Sequence, residues 1–151
     1  MRPEYYGNPA GVTGDVDVVR AIYAAFAARD LEAGLAYVAE DCEIVVEGTA
    51  RIAGRTGPYR GHEGLREYFA DVRRSWDELT LHAEDFRALP GSVVVMGHVE
   101  GRRGEHHIRR KALWTWRLRD GLAVAVRVSD LGPAPEPGAS AAASPGTPEA
   151  Q

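Results

Sequence analysis

The stretch GPYRGHEGLREYF (residues 57–69) runs from a glycine- and proline-rich turn straight into an amphipathic segment. Gly61 allows the chain to reverse its direction there, because glycine adopts backbone angles that other residues avoid. Beyond it, apolar side chains recur at i, i+3, i+4, i+7 and i+11, at Leu65, Tyr68, Phe69, Val72 and Trp76. This spacing predicts a helix with one broad, aromatic apolar stripe. Such a helix must cover an apolar surface formed elsewhere in the chain.

The residues that follow this helix predict that surface. Four segments rich in β-branched and aromatic residues are separated by the turn sequences LPG, RRG and RDG. Short connections of this kind make consecutive strands antiparallel neighbours. The predicted strands are Leu79–Ala88, Ser92–Gly101, His106–Leu118 and Leu122–Asp130.

The residues that precede the helix predict two more helices and one strand. Asp15 is the predicted N-cap of a first helix that ends near Asp30, and a second, short helix covers Leu31–Val38. A strand begins at Cys42–Val46, and residues 48–60 are predicted to be an irregular connection. Helices, one strand, a third helix and a strand meander together predict an α+β fold, with the helices on one face of an antiparallel sheet.

Composition indicates one globular domain. The chain has 151 residues and a formal net charge of −4, from 22 acidic residues and 18 lysines and arginines. Nucleic-acid binders usually have a concentrated basic surface instead. The single cysteine, Cys42, and the lack of a long apolar stretch favour a cytoplasmic protein without a membrane partner. We expect a flexible segment at residues 1–14, a domain at 15–131, and a disordered tail rich in proline and alanine at 132–151.

The predicted sheet is apolar on both faces. Val93 and Val95 alternate with Val94 and Met96, so neither face of that strand has the polar character of an exposed surface. The helices can cover only one face of a domain this small. We therefore expect a homodimer that forms through the outer face of the sheet.

The order of elements and the amino-acid sequences of three segments resemble the SnoaL-like branch of the nuclear transport factor 2-like superfamily. The segments are VVRAIYAAFAARDLEAGLAYVAEDCEI, GPYRGHEGLREYFADV and RKALWTWRLRDGLAVAVRVSDLG. The resemblance implies a cone: three helices in the N-terminal half packed on a curved, mostly antiparallel sheet, around a deep apolar cavity. It also implies the side chains that line this cavity, namely Tyr23, Phe26, Tyr68, Phe69, Trp76 and Trp114.

The same resemblance suggests where reactive groups would lie. Steroid isomerases of this fold use three polar residues, and Ile22, Val46 and Trp114 stand at their places, which counts against that reaction here. Limonene-type epoxide hydrolases use an Arg-x-Asp pair and a later aspartate. His98 and Glu100 stand at the pair, and Asp130 stands at the later aspartate.

These residues support several functions. In a dry cavity, two carboxylates have pKa values that separate, so Asp130 and Glu100 are candidates for a proton-transfer pair, with His98 assisting. The structural alternative is that Asp130 caps the last turn and Glu100 simply ends a strand. We expect a protein that binds a small apolar polycyclic or terpenoid-like molecule and acts as a cofactor-free isomerase or cyclase. The alternatives are a non-catalytic dimeric ligand-binding or accessory domain and an epoxide hydrolase.

Neither a metal nor a cofactor is expected from the sequence. The five histidines have neither the i, i+4 spacing of a helical ligand pair nor a cysteine partner, and adjacent His106 and His107 point to opposite faces of a strand. The sequence contains no nucleotide-binding loop.

Overall fold

The computed structural model of the protein describes residues 10–135, with side chains from residue 14 onwards. This part of the chain forms four helices and six strands. In order they are α1 (Ala10–Ala27), α2 (Leu31–Leu35), β1 (Val38–Val45), α3 (Glu47–Ala53), β2 (Tyr59–Arg60), α4 (Gly61–Ser75), β3 (Glu78–Leu89), β4 (Ser92–Arg103), β5 (His106–Arg119) and β6 (Leu122–Pro133). No helix in the described part is both long and apolar enough to cross a membrane.

The six strands form one open sheet in the order β2-β1-β6-β5-β4-β3. β3 to β6 make the predicted antiparallel meander, and β1 lies parallel to β6. The predicted α+β fold class is therefore confirmed, and the sheet is mixed, with one parallel pair.

Two predictions about the helices were wrong. Residues 47–53 form α3, which overlaps the segment expected to be irregular, so residues 10–135 contain four helices instead of three. Gly54 ends α3 in the left-handed conformation, with φ of 78°, and its amide bonds back to the carbonyl of Ala50. Gly48 in its first turn and Gly54 at its end had hidden this seven-residue helix. Asp15 is not an N-cap either, because α1 begins at Ala10.

Other element bounds differ by a few residues from their predictions. α2 ends at Leu35, and Val38 already belongs to β1, which the sequence had placed four residues later, at Cys42. Residues 1–9 and 136–151 lie outside the described residues, so the flexible segment and the disordered tail stay predictions there.

The turn before α4 places this helix against β1 and β2. Gly61 has φ of 69°, and a Cβ there would lie 2.5 Å from the carbonyl oxygen of Glu40. Gly64 lies almost as close to its neighbour, because a Cβ there would lie 2.8 Å from the carbonyl carbon of Tyr59. These two glycines bring α4 down onto the sheet. Four residues of its predicted stripe are buried, namely Leu65, Tyr68, Phe69 and Val72, and Trp76 is partly buried.

A β-bulge in β3 decides which side chains face the helices. The register with β4 shifts between Ala83 and Asp85, so Glu84 is an extra residue. As a result His82 and Phe86, which have the same parity in the sequence, lie on opposite faces. His82 is on the outer face, opposite His98, and Phe86 packs on Tyr23 of α1 with ring centroids 6.0 Å apart.

Candidate functional site

An apolar cavity of about 70 Å³ lies between α1, α4 and the inner face of the sheet. Five of the six side chains predicted as cavity lining surround it: Tyr23, Phe26, Tyr68, Phe69 and Trp114. Its other lining residues are mostly aliphatic, as the stripe of α4 and the inner strand positions require. These five are among the sixteen residues that line the cavity, and their contact with a ligand stays a prediction.

Tyr23 places a hydroxyl group in this apolar cavity. Its ring is enclosed edge-on by Trp114 and Trp116, each with a ring centroid 5.6 Å away. Trp116 Nε1 donates a hydrogen bond of 3.1 Å to the Tyr23 hydroxyl oxygen. Within residues 10–135, no acceptor binds the proton of this hydroxyl. Burial raises the pKa of Tyr23 far above its ordinary value, so the hydroxyl keeps its proton and can donate it.

A second cavity, of about 160 Å³, adjoins the first and carries polar groups. The two share the side chains of Tyr68, Leu81, Trp114 and two valines, which form the wall between them. Trp76, the sixth predicted lining residue, belongs to this outer cavity, and its Nε1 donates a hydrogen bond of 3.2 Å to Thr49 Oγ1. A Cβ on Gly101 would lie 2.6 Å from the Trp76 ring, so the glycine makes room for it.

Asp130 lines this outer cavity and is paired with a cation. Arg110 Nε donates to both of its carboxylate oxygens, at 3.1 and 3.2 Å. The backbone amide of Gly132 and the Arg110 guanidinium hold the pKa of Asp130 below its usual range. Asp130 is therefore ionised and weakly basic near neutral pH, and it holds no proton to give as a general acid. Arg51, from the unpredicted α3, lines the same cavity.

Glu100 and His98 lie on the opposite face of the sheet from Asp130. Asp130 pairs with Ala112 on the inner face, whereas Glu100 pairs with Arg109 on the outer face. The hydrogen bond from His82 and the ion pair with Arg109 lower the pKa of Glu100. The expected proton-transfer pair of Asp130 and Glu100 is thus not brought together, and His98 faces away from both cavities. A catalytic role for any of the three stays a prediction.

The sequence missed several residues of the site. Trp116 was not among the predicted lining residues, although it has the same parity as Trp114 along β5, and that signal could have placed it on the inner face. Thr49 and Arg51 were missed because α3 was not predicted. Cys42 also lines the inner cavity, and burial raises the pKa of its thiol to about 12, so it is a neutral apolar contact and not a nucleophile.

Four helices over one face of an open, mostly antiparallel sheet, with an apolar cavity between the layers, define the nuclear transport factor 2-like fold. A solved protein of that fold from Burkholderia pseudomallei K96243, of unknown function, has a TM-score of 0.71 with this chain at 24% identity, covering 78% of this chain and 90% of the other.

The chain belongs to the SnoaL-like domain family, whose model matches residues 19–126. The chain is also similar to TerC, whose crystals contained polyporic acid: 28% identity and a TM-score of 0.70, over 78% of this chain and 91% of TerC. A putative polyketide cyclase from Sinorhizobium meliloti has a TM-score of 0.61 at 14% identity, over 75% of this chain and 94% of the cyclase, which supports the fold alone. The curated protein sequences contain no significant match.

Proposed function

We propose that the protein binds a planar aromatic compound that carries oxygen atoms, such as a quinone or a polyketide, in the two adjoining cavities. The observation that carries this proposal is the Tyr23 hydroxyl. It is fixed by Trp116 within an apolar wall, and its own proton has no acceptor among the described residues. Tyr23 is half-buried, so leaving this donor without a partner costs less than the roughly 1–3 kcal/mol of a fully buried group, and a ligand carbonyl or enolate oxygen would recover that cost.

The walls and the charges suit the same ligand class. Tyr23, Trp114 and Trp116 offer ring faces and edges that pack on flat aromatic molecules. Arg51 and Arg110 line the outer cavity, and Asp130 neutralises Arg110. Arg51 has no ion-pair partner in the described part of the chain, so it favours a ligand with negative charge.

The size of the cavities sets a condition on binding. Sites for drug-sized ligands have volumes of roughly 300–1,000 Å³, far above the inner cavity of about 70 Å³. A ligand with several rings must therefore occupy both cavities and displace a side chain of the shared wall, such as Leu81 or Tyr68. We expect binding to depend on a rearrangement of this wall.

Polyporic acid, a dihydroxyquinone with two phenyl groups, is the probe that TerC suggests. We expect it to bind with a dissociation constant that quenching of the tryptophan fluorescence can measure. Tyr23→Phe removes the donor and should weaken binding about five- to tenfold, as expected for one hydrogen bond of about 1–1.5 kcal/mol.

Tyr37→Phe is the matched control, because Tyr37 is exposed on the surface and lines neither cavity. It should bind the probe like the wild type. Equal affinity of the wild type and Tyr23→Phe would refute the role of the hydroxyl. No saturable binding of quinones or related aromatic acids by the wild type would refute the proposed ligand class.

Binding without catalysis is the form of the proposal that the geometry favours, because the Asp130–Glu100 pair does not converge. The isomerase or cyclase alternative predicts a new product when the protein and probe are incubated together, seen by mass spectrometry. If Asp130→Asn abolished that product without abolishing binding, the enzymatic alternative would replace the binding proposal.

We further propose that the protein forms a homodimer through the outer face of the sheet. Met96 is 42% exposed there, and Val94 and Leu113 beside it are half-buried. An exposed apolar strip on a sheet face that no helix covers supports an interface between copies.

A further inference from the structure

A cluster of imidazoles and carboxylates lies on the outer face of the sheet, away from both cavities. His82 of β3 stands directly opposite His98 of β4, and their rings stack with centroids 4.2 Å apart. Glu100 follows His98 by two residues on the same face, and one of its oxygens lies 2.7 Å from His82 Nε2. One ligand atom from each of these three side chains lies within 4.8 Å of the others.

The backbone is shaped around this cluster. The bulge in β3 makes Glu84 an extra residue on that strand, and Glu84 Oε2 lies 3.1 Å from His98 Nδ1. Gly97 permits the close approach of the two strands, because a Cβ there would lie 1.8 Å from the carbonyl oxygen of His82. Bulges recur beside functional sites, where they redirect a side chain. Here the bulge adds a fourth side chain to the cluster.

A positive charge already lies against two members of the cluster. Arg109 forms an ion pair with Glu100, and its Nη2 lies 3.3 Å from His98 Nε2. The Arg109 side chain is only 16% exposed, so this charge is held between the carboxylate and the imidazole. Its Nε also donates to the carbonyl oxygen of Pro135, which gives the guanidinium a second anchor further from the cluster.

We propose that His82, His98 and Glu100 bind a divalent transition-metal ion, with Zn²⁺ the best match. Two imidazoles and one carboxylate suit zinc, copper or nickel, whereas magnesium and calcium prefer oxygen ligands alone. The ion takes the position of the Arg109 guanidinium. Glu84 accepts the hydrogen bond of His98 Nδ1 and orients the ring, as carboxylates next to metal-bound histidines do.

The sequence predicted no metal because its ligands are not spaced as in a helical or cysteine-containing site. The spacing relevant to this site lies across the β3–β4 ladder, where residues sixteen apart in the chain become neighbours. The proposal is independent of ligand binding on the inner face.

A calorimetric titration of the untagged, chelator-treated protein with ZnCl₂ tests the proposal. We expect one Zn²⁺ per chain, counted per chain because the same face is proposed to dimerise. His82→Ala and His98→Ala should each weaken binding at least about tenfold. His107→Ala is the matched control, since His107 is exposed near the β4–β5 turn, and it should bind like the wild type.

Arg109→Met removes the competing cation and should tighten Zn²⁺ binding several-fold, which loss of folding cannot mimic. In the wild type, Co²⁺ should give visible absorption bands that Glu100→Gln shifts and His98→Ala abolishes. Circular dichroism of each metal-free variant shows whether it is folded.

Three results would overturn the proposal. They are no saturable Zn²⁺ binding by the wild type, unchanged binding by folded His82→Ala and His98→Ala, and binding by Arg109→Met alone. In the last case the native state of the cluster is the ion pair with Arg109.

Discussion

Tyr23 is half-buried and Asp71 is fully buried, and the surroundings of each polar side chain decide what it can do. Tyr23 lies in an apolar cavity with one hydrogen bond, so it can donate to a ligand. Asp71 of α4 is 3% exposed and fully engaged: the Tyr59 hydroxyl donates to it at 2.8 Å, and Arg55 and Arg74 pair with it. This cluster ties the connection after α3 to α4 and has a structural role.

Asp71→Asn should lower the free energy of unfolding by about 2–3 kcal/mol at pH 7, because it leaves the paired groups without their anion. Glu67→Gln removes another, exposed partner of Arg55 and should cost less than about 0.5 kcal/mol. Urea unfolding of the two variants measures both values. Equal losses would contradict the role of Asp71.

The same cluster predicts how this stability depends on pH. Burial alone would raise the pKa of Asp71, but the hydrogen bonds from Tyr59, Arg74 and Arg55 outweigh it, and the folded-state pKa lies below the ordinary value. A depressed pKa stabilises the fold above the unfolded-state value of about 3.9 and loses that contribution as pH falls through the folded-state value. The difference between wild type and Asp71→Asn should therefore shrink below about pH 4.

At the scale of elements, close backbone contacts position the helices and strands that carry the site. Gly61 and Gly64 let α4 reach β1 and β2, and this brings Tyr68 and Phe69 to the cavity. The sequence of residues 57–69 predicted this helix and the chain reversal before it. It did not reveal Gly64, whose role depends on Tyr59 lying directly beneath the helix.

Gly64→Ala and Gly48→Ala make a matched pair of helix substitutions. A Cβ at Gly64 would lie 2.8 Å from the carbonyl carbon of Tyr59, so we expect a loss of about 1–3 kcal/mol in unfolding free energy. Gly48 in α3 has no neighbour within 4 Å, so alanine there should stabilise the protein by about 0.5–1 kcal/mol. Thermal unfolding checks both signs. A stabilising Gly64→Ala would show that α4 can move away from β2 at little cost.

At the scale of the whole molecule, the two faces of the sheet have separate roles. The inner face and the helices enclose the cavities, and the outer face bears Met96 and the histidine cluster. The alternation of Val93 and Val95 with Val94 and Met96 holds in β4, where the first two are buried and Met96 is exposed. The sequence does not show where such an alternation is interrupted. The bulge in β3 breaks that alternation.

The proposed homodimer can be tested on the outer face directly. Met96→Glu places a charge at the exposed apolar position, and we expect it to shift the protein from dimer to monomer in light scattering coupled to size exclusion. Ile52→Glu is the control, because Ile52 is similarly exposed on α3 and away from the sheet face. A wild-type monomer at micromolar concentration would refute the dimer, and so would a dimer that Met96→Glu leaves intact.

The fold class, the strand meander and five of the sixteen side chains that line the inner cavity follow from the amino-acid sequence, because they depend on periodicity and turn residues within short segments. Which polar groups meet depends instead on the folded chain. Asp130 and Glu100 fell on opposite faces, and His82 came to face His98, because strand register depends on a bulge and on pairing between distant residues. The lack of an acceptor for the Tyr23 hydroxyl proton is also visible only in the folded protein, because α1 and β5 together form the surroundings of this hydroxyl.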